Sequence, residues 1–187
     1  MVHQDEMELI KQIRNGETEL FSIFLEEHAS KVHSLIGQIV SNREDTEELT
    51  QDAFVKAYSK LHTFKGDCKF STWLFRIAYN TAISATRKKK MVFPTIEESL
   101  INNLADEEVD FLLDQDENEK VMLQLEIAVK KLNTEDAAII RLFYNEEKSV
   151  NELADILQIS VSNVKVKMHR ARKKLVLLIK EQNDEAR

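Results

Sequence analysis

Between Val161 and Lys174 the chain carries Asn163, Lys165, Val166, Lys167, His169, Arg170, Lys173 and Lys174 without a carboxylate. The chemistry open to these residue types is recognition. Ammonium and guanidinium groups meet phosphates or guanine acceptors, an asparagine amide can read adenine, and an exposed valine can touch a thymine methyl. Just upstream, Ser149 followed by Glu152 is a capping-box signature, so a helix starts there. Val150, Leu153, Ala154 and Leu157 then form one apolar stripe, and Val161, Val164, Met168, Ala171 and Leu175 form a second. Two short helices joined by a tight turn, the second one basic, make a helix-turn-helix whose second helix enters the major groove. A solvated basic helix end, favoured by the helix dipole, is the plain alternative; the cap, the turn and the second stripe weigh against it.

A second group of residues suits unpaired strands. Phe64, Phe70, Phe75 and Tyr79 are interleaved with Lys65, Lys69, Arg76 and the run Arg87, Lys88, Lys89 and Lys90. Rings of this kind stack on bases while cations hold phosphates. The segment joins a loop containing Gly66 to a helix capped by Ser71. Trp73, Leu74, Ile77, Ala78, Ala82 and Ala85 recur at helical spacing and read as core. A third group lies on the helix after Arg43, where Leu49, Ala53, Phe54, Ala57, Tyr58 and Leu61 share one face. Glu48, Gln51 and Asp52 lie opposite, either as a solvated face or as a docking surface for a basic partner. Nothing points to catalysis, a metal or a cofactor. His28 and His33 are five apart, off the spacing that places two ligands on one helix face, and no Glu-bearing metal motif accompanies them.

The elements that must position these groups are helical. In 187 residues there are three Gly and one Pro, few signals for strands and turns, so the expected fold is all-α. With 43% hydrophobic and 32% charged residues, the length suits one or two small domains. The formal net charge of -7 hides segregation, since cations cluster from Lys65 to Lys90 and from Lys165 to Lys174. Cys68 has no partner for an internal disulfide, which fits a reducing compartment. No signal peptide or membrane-spanning run is visible, so the expected location is the cytoplasm, without direct membrane insertion.

An acidic linker is expected over 92–118. Pro94 ends the preceding helix, and Glu97, Glu98, Asp106, Glu107, Glu108, Asp110, Asp114, Asp116 and Glu117 follow without a Lys or Arg. Leu100, Ile101, Leu104, Val109, Phe111, Leu112 and Leu113 interrupt it, leaving room for a short helix or for docking. The linker separates two small helical domains, 1–91 and 119–187. In the first, a helix around Glu6 to Arg14 precedes the Asn15-Gly16 break and a longer helix through Phe21, Phe24, Leu25, Val32, Leu35, Ile36 and Ile39. In the second, Val121, Leu125, Ala128 and Leu132 mark a helix, and Asn133 or Thr134 caps the next, which holds Ile139, Ile140 and Phe143.

Three stretches in this order, with the acidic spacer between the second and third, resemble the extracytoplasmic function group of bacterial sigma factors: Glu48 to Tyr58, Phe64 to Asn80, and Val161 to Leu175. The resemblance implies an N-terminal helical bundle (sigma region 2) and a C-terminal helix-turn-helix domain (sigma region 4). It implies that Glu48, Gln51 and Asp52 bind the clamp helices of the RNA polymerase largest subunit, with the polymerase flap as a further contact. Lys65, Lys69, Phe70 and Ser71, with Arg76 and Asn80 on the following helix, would engage the minus 10 promoter element and capture a flipped base. Ser162, Asn163, Lys165, Val166, Lys167, His169 and Arg170 would read the minus 35 element. An anti-sigma factor is an implied partner beside core polymerase and promoter DNA. Lys165 and Lys167 stand where arginine is common in the family, and a lysine is a point donor rather than a fork, so the family's promoter preference does not transfer. A stand-alone regulator that uses only the C-terminal reader, with the N-terminal helices dimerising, is the alternative function.

Overall fold

The computed structural model describes residues 3–40, 42–86, 96–106, 109 and 119–185. Among them the regular elements are helices and no strand occurs, as the low Gly and Pro content leads one to expect. They are α1 (His3–Arg14), α2 (Phe21–Ile39), α3 (Arg43–Lys60), α4 (Phe70–Thr86), α5 (Glu98–Asn103), α6 (Glu119–Lys131), α7 (Thr134–Tyr144), α8 (Val150–Leu157) and α9 (Val161–Glu185), with short 3-10 turns at Thr18–Leu20 and Leu61–Thr63. The run Arg87 to Lys90, Pro94 and the carboxylates at 107, 108, 110, 114, 116 and 117 lie outside the described residues. Among the described residues no helix is long and apolar enough to cross a membrane.

The chain divides into two compact units. The first comprises Met1–Lys90 together with Lys148–Ile159, and the second comprises Met91–Glu147 together with Ser160–Arg187. The division departs from a simple split at the acidic linker because α8 packs on α4.

In the first unit α2, α3 and α4 pack on one another. The stripes read from the sequence build its core, where Phe24, Leu35, Ile36, Ile39, Phe70, Leu74 and Phe75 are almost fully buried. The break after α1 falls at Gly16, whose φ of +115° a side chain rarely adopts. Asn42 caps α3 by accepting the Asp45 N–H at 3.0 Å. The expected cap of α4 is corrected. The helix begins at Phe70, ahead of Ser71, and the Phe70 N–H is taken by Glu6 Oε2 of α1 at 3.3 Å. A carboxylate brought in by tertiary packing thus satisfies one of the orphan donors at the helix start.

In the second unit Ala128, Leu132, Ala137, Ile140, Ala171, Leu175, Leu178 and Ile179 form a continuous core, joined by Ile96, Leu125 and Val129. Asn133, one of the two candidates, caps α7 by accepting the Asp136 N–H at 2.9 Å. A smaller cluster unites Leu104 and Val109 with Val176, and Leu177 packs against it.

Candidate nucleic-acid interface

The loop from Phe64 to Lys69 is held in place by α1. Arg14 ends that helix and donates Nη2 to the carbonyls of Leu61, at 2.6 Å, and of Phe64, with Nε also reaching Leu61 O at 3.2 Å. One guanidinium thus fixes the entry to the loop, using the fork geometry that lysine lacks. Gly66 sits at φ +82°, and a Cβ there would lie 2.8 Å from Met7 Sδ. The left-handed backbone favours glycine here, and an added methyl would also require the Met7 side chain to shift. Lys65 and Lys69 stand exposed on this fixed backbone.

The four aromatics do not form the expected stacking surface. Phe64, Phe70, Phe75 and Tyr79 are all at least nine-tenths buried. Phe70 stacks on Phe24 with ring centroids 3.9 Å apart and meets Phe64 edge-on at 5.9 Å. Removing that much apolar surface from water outweighs what single rings would gain by waiting for a base, so these residues anchor the loop and α4. Phe70 in particular offers no free face.

Beside the loop is an open cleft of about 560 Å³ between α3 and α4. Lys56 and Lys60, one turn apart on α3, face Arg76 and Asn80, one turn apart on α4, with Trp73 and Gln158 also in the lining. Three cations and two amides around one groove can hold a phosphate chain and hydrogen-bond an unpaired base, while Trp73, 6% exposed, forms part of its floor. Lys56 and Lys60 were missed in the sequence, although their four-residue spacing matches that of Arg76 and Asn80. Cys68 is half-buried, and burial pushes its thiol above the usual cysteine range against the opposing pull of Arg76, so it stays protonated near neutral pH.

α8 covers part of α4 within the same unit. The Lys148 ammonium is buried over the Phe75 ring, 5.2 Å from its centroid, and donates to Ser71 Oγ at 2.7 Å. Glu152 Oε1 accepts the Thr72 hydroxyl at 2.9 Å and lies 3.6 Å from Lys148 Nζ. Its other oxygen accepts the Ser149 N–H at 3.0 Å, while the Ser149 hydroxyl accepts the Glu152 N–H at 3.2 Å. This is the capping box read from the sequence. Burial pushes the Glu152 carboxyl up, but the Ser149 N–H, the Thr72 and Ser149 hydroxyls and Lys148 together hold it below the usual glutamate range. The Asn80 amide donates to Gln158 Oε1 at 3.4 Å.

On α3, Glu48, Gln51 and Asp52 are exposed along one stripe that Val55 continues, two-thirds exposed. The sequence did not single out this exposed valine. Tyr58, on the apolar face of α3, is less than two-thirds buried and meets Phe21 edge-on.

In the second unit, Ser162, Asn163, Lys165 and Val166 are exposed at the start of α9, and Ser160 Oγ accepts the Asn163 N–H at 3.2 Å. The later reader residues are engaged. Lys167 pairs with Glu135 at 2.7 Å, Arg170 with Glu98 at 2.6 Å, and His169 lies 3.5 Å from Asp106. Among the described residues no group of three His, Cys, Asp or Glu could hold a metal ion.

Two family models match, sigma-70 region 2 over residues 24–91 and sigma-70 region 4 over residues 122–175. The ECF RNA polymerase sigma factor SigW of Bacillus subtilis strain 168 is 32% identical over 172 residues, covering 89% of this chain and 92% of its own. Among solved structures, CnrH in complex with the cytosolic domain of CnrY has a TM-score of 0.64 at 24% identity, covering 92% of this chain and 96% of that one. The sigma factor RpoE from Bartonella quintana, in complex with the anti-sigma factor NepR, has a TM-score of 0.64 at 20% identity, covering 86% and 96%. These two likenesses show the fold.

Proposed function

Since the chain belongs to the extracytoplasmic function branch of the sigma-70 family, RNA polymerase sigma factors that direct core enzyme to specific promoters and promote DNA melting, we propose how its residues divide that work. The N-terminal region, 1–91, docks on the polymerase clamp through Glu48, Gln51 and Asp52, with Val55 as the apolar centre of the contact. Lys65, Lys69, Arg76 and Asn80 engage the minus 10 element, with Lys56 and Lys60 on the opposite wall of the cleft. Phe70 and Ser71 position this surface: the first anchors the loop, the second meets Lys148. The region 119–187 reads the minus 35 element through Ser162, Asn163, Lys165, Val166, Lys167, His169 and Arg170, and 92–118 is the acidic connection.

The observation that carries this reading is the open groove in which Lys56, Lys60, Arg76 and Asn80 converge beside Trp73. Its chemistry is that of binding, not catalysis. Unstacking and unpairing a base costs a few kcal/mol, which phosphate contacts and pocket contacts offset. A ligand that prefers the melted promoter shifts the duplex-to-open equilibrium by its difference in affinity for the two states. The protein supplies that difference to core polymerase in the cytoplasm. An anti-sigma factor is a further partner, a reading supported by the complex of the Bartonella quintana sigma factor with NepR.

Alanine substitutions test the assignment. Lys69→Ala and Asn80→Ala should slow promoter opening, read by permanganate reactivity of unpaired thymines. Lys167→Ala and Arg170→Ala should weaken protection of the minus 35 region in footprints. Promoter-specific transcription unchanged in all four would overturn the site assignment.

A further inference from the structure

Lys167, Arg170, Lys173 and Lys174 of α9 are already answered by carboxylates of the same unit, and two of those carboxylates come from the segment around α5. Arg170 Nη2 lies 2.6 Å from Glu98 Oε1 and donates to Glu98 Oε2 at 2.7 Å. Asp106 Oδ1 is 3.0 Å from Lys173 Nζ and 3.5 Å from His169 Nε2. We propose that residues 96–106, with Val109, form an intramolecular strap that competes with duplex DNA for the basic outer face of α9. The proposal rests on the reading of α9 as the minus 35 reader.

The strap is built, not incidental. Ile101, Leu104 and Val109 are all buried, at 2%, 7% and 4% exposure. Leu104 and Val109 close over Val176, which is 0% exposed. At 100° per residue Val176 lies about 120° around the helix from Val164, outside the stripe of Ala171, Leu175 and Ile179 that builds the unit's main core. Its burial comes from the strap. His169 and Lys173 lie next to Val176 on the same wheel, so the apolar anchor sits beside the ion pairs. The Lys173 hydrogen bond, with His169 and Arg172 nearby, holds the Asp106 carboxyl below the usual aspartate range. The strap uses the same donors that phosphates would use.

It is also displaceable. The Glu98 and Asp106 side chains are 57% and 66% exposed, and ion pairs of that exposure are individually weak. Duplex DNA presents a denser line of charge than two carboxylates. Ser162, Asn163, Lys165 and Val166 stay exposed at the start of α9, so the strap lowers DNA affinity without abolishing it.

The test is the affinity of the full-length protein, without polymerase, for a fluorescein-labelled duplex of mixed sequence, read by anisotropy at fixed salt. Glu98→Gln with Asp106→Asn opens the strap. Glu181→Gln with Asp184→Asn, two exposed carboxylates at the far end of α9, removes the same charge without touching it. The strap variant should bind about three- to ten-fold more tightly than this control, the effect of freeing two exposed pairs. Lys165→Ala in the strap-open background should weaken binding about three-fold, the loss of roughly one phosphate contact. Retained sensitivity to Lys165→Ala with no gain over the charge control overturns the strap alone. Binding indifferent to Lys165→Ala overturns the reading of α9 on which the strap depends. Melting followed by circular dichroism verifies that every variant is folded.

Discussion

Replacing Glu152 with alanine probes the joint between α4 and α8. The substitution removes half of the capping box at Ser149, about 1 kcal/mol. It takes the acceptor from the Thr72 hydroxyl, in a residue only 1% exposed, for about another 1 kcal/mol. It also takes the neighbouring carboxylate from the buried Lys148 ammonium, again about 1 kcal/mol. The expected loss is about 3 kcal/mol for the first unit. Trp73, the single tryptophan, is 6% exposed on α4 and reports unfolding of that unit. With a urea slope of about 1.5 kcal/mol/M, the midpoint followed by Trp73 fluorescence should fall by about 2 M. Glu152→Gln keeps neutral hydrogen bonds and should lose about half as much. A cycle with Thr72→Val should give a coupling of about 1 kcal/mol. The pH dependence follows from the lowered folded pKa of Glu152. Its stabilisation is present above the ordinary glutamate value and is lost as pH falls through the folded value, so Glu152→Gln should flatten the acid limb of the stability curve. A midpoint shift below about 0.5 M for Glu152→Ala would refute the energetic account of this joint.

Three further outcomes are expected. Gly66→Ala should destabilise the first unit by about 1–2 kcal/mol in the same denaturation assay, because φ is +82° and the added Cβ would meet Met7. His28 is 5% exposed with neither ring nitrogen hydrogen-bonded, and burial lowers its pKa. Its neutral form is favoured in the folded state, so stability should fall as pH drops from about 6.5 toward the folded value; His28→Phe should remove that slope and raise stability by about 1 kcal/mol, measured by urea titration at a series of pH values. Glu48→Ala with Asp52→Ala should weaken co-purification with core polymerase about ten-fold or more without changing the melting temperature, since both side chains are exposed.

Periodicity carried most of the fold. The stripes through α2, α4 and α9, the Asn133 cap and the Ser149–Glu152 box all stand where spacing of three and four, or a capping pair, puts them. What escaped the sequence depends on contacts between distant residues. Glu6 caps α4 from 64 positions away, and Arg14 holds a loop 47 to 50 positions on. No local pattern announces either. The aromatics of the loop were misread for a related reason. A ring next to a lysine in sequence looks the same whether it faces solvent or core, and only the partner, here Phe24 for Phe70, decides. The pairing of Arg170 and Lys173 with carboxylates from the acidic segment was likewise hidden, because charge segregation along the chain says nothing about which opposite charges meet.

The most direct test of the central claim is reconstitution of the purified chain with bacterial core RNA polymerase on a promoter library, with sequencing of the transcript 5′ ends. The account predicts that the reconstituted enzyme starts RNA synthesis at a restricted set of promoters sharing two spaced elements, and that Lys69→Ala and Arg170→Ala each erode the selection. Transcript starts no more selective than those of core enzyme alone would contradict it.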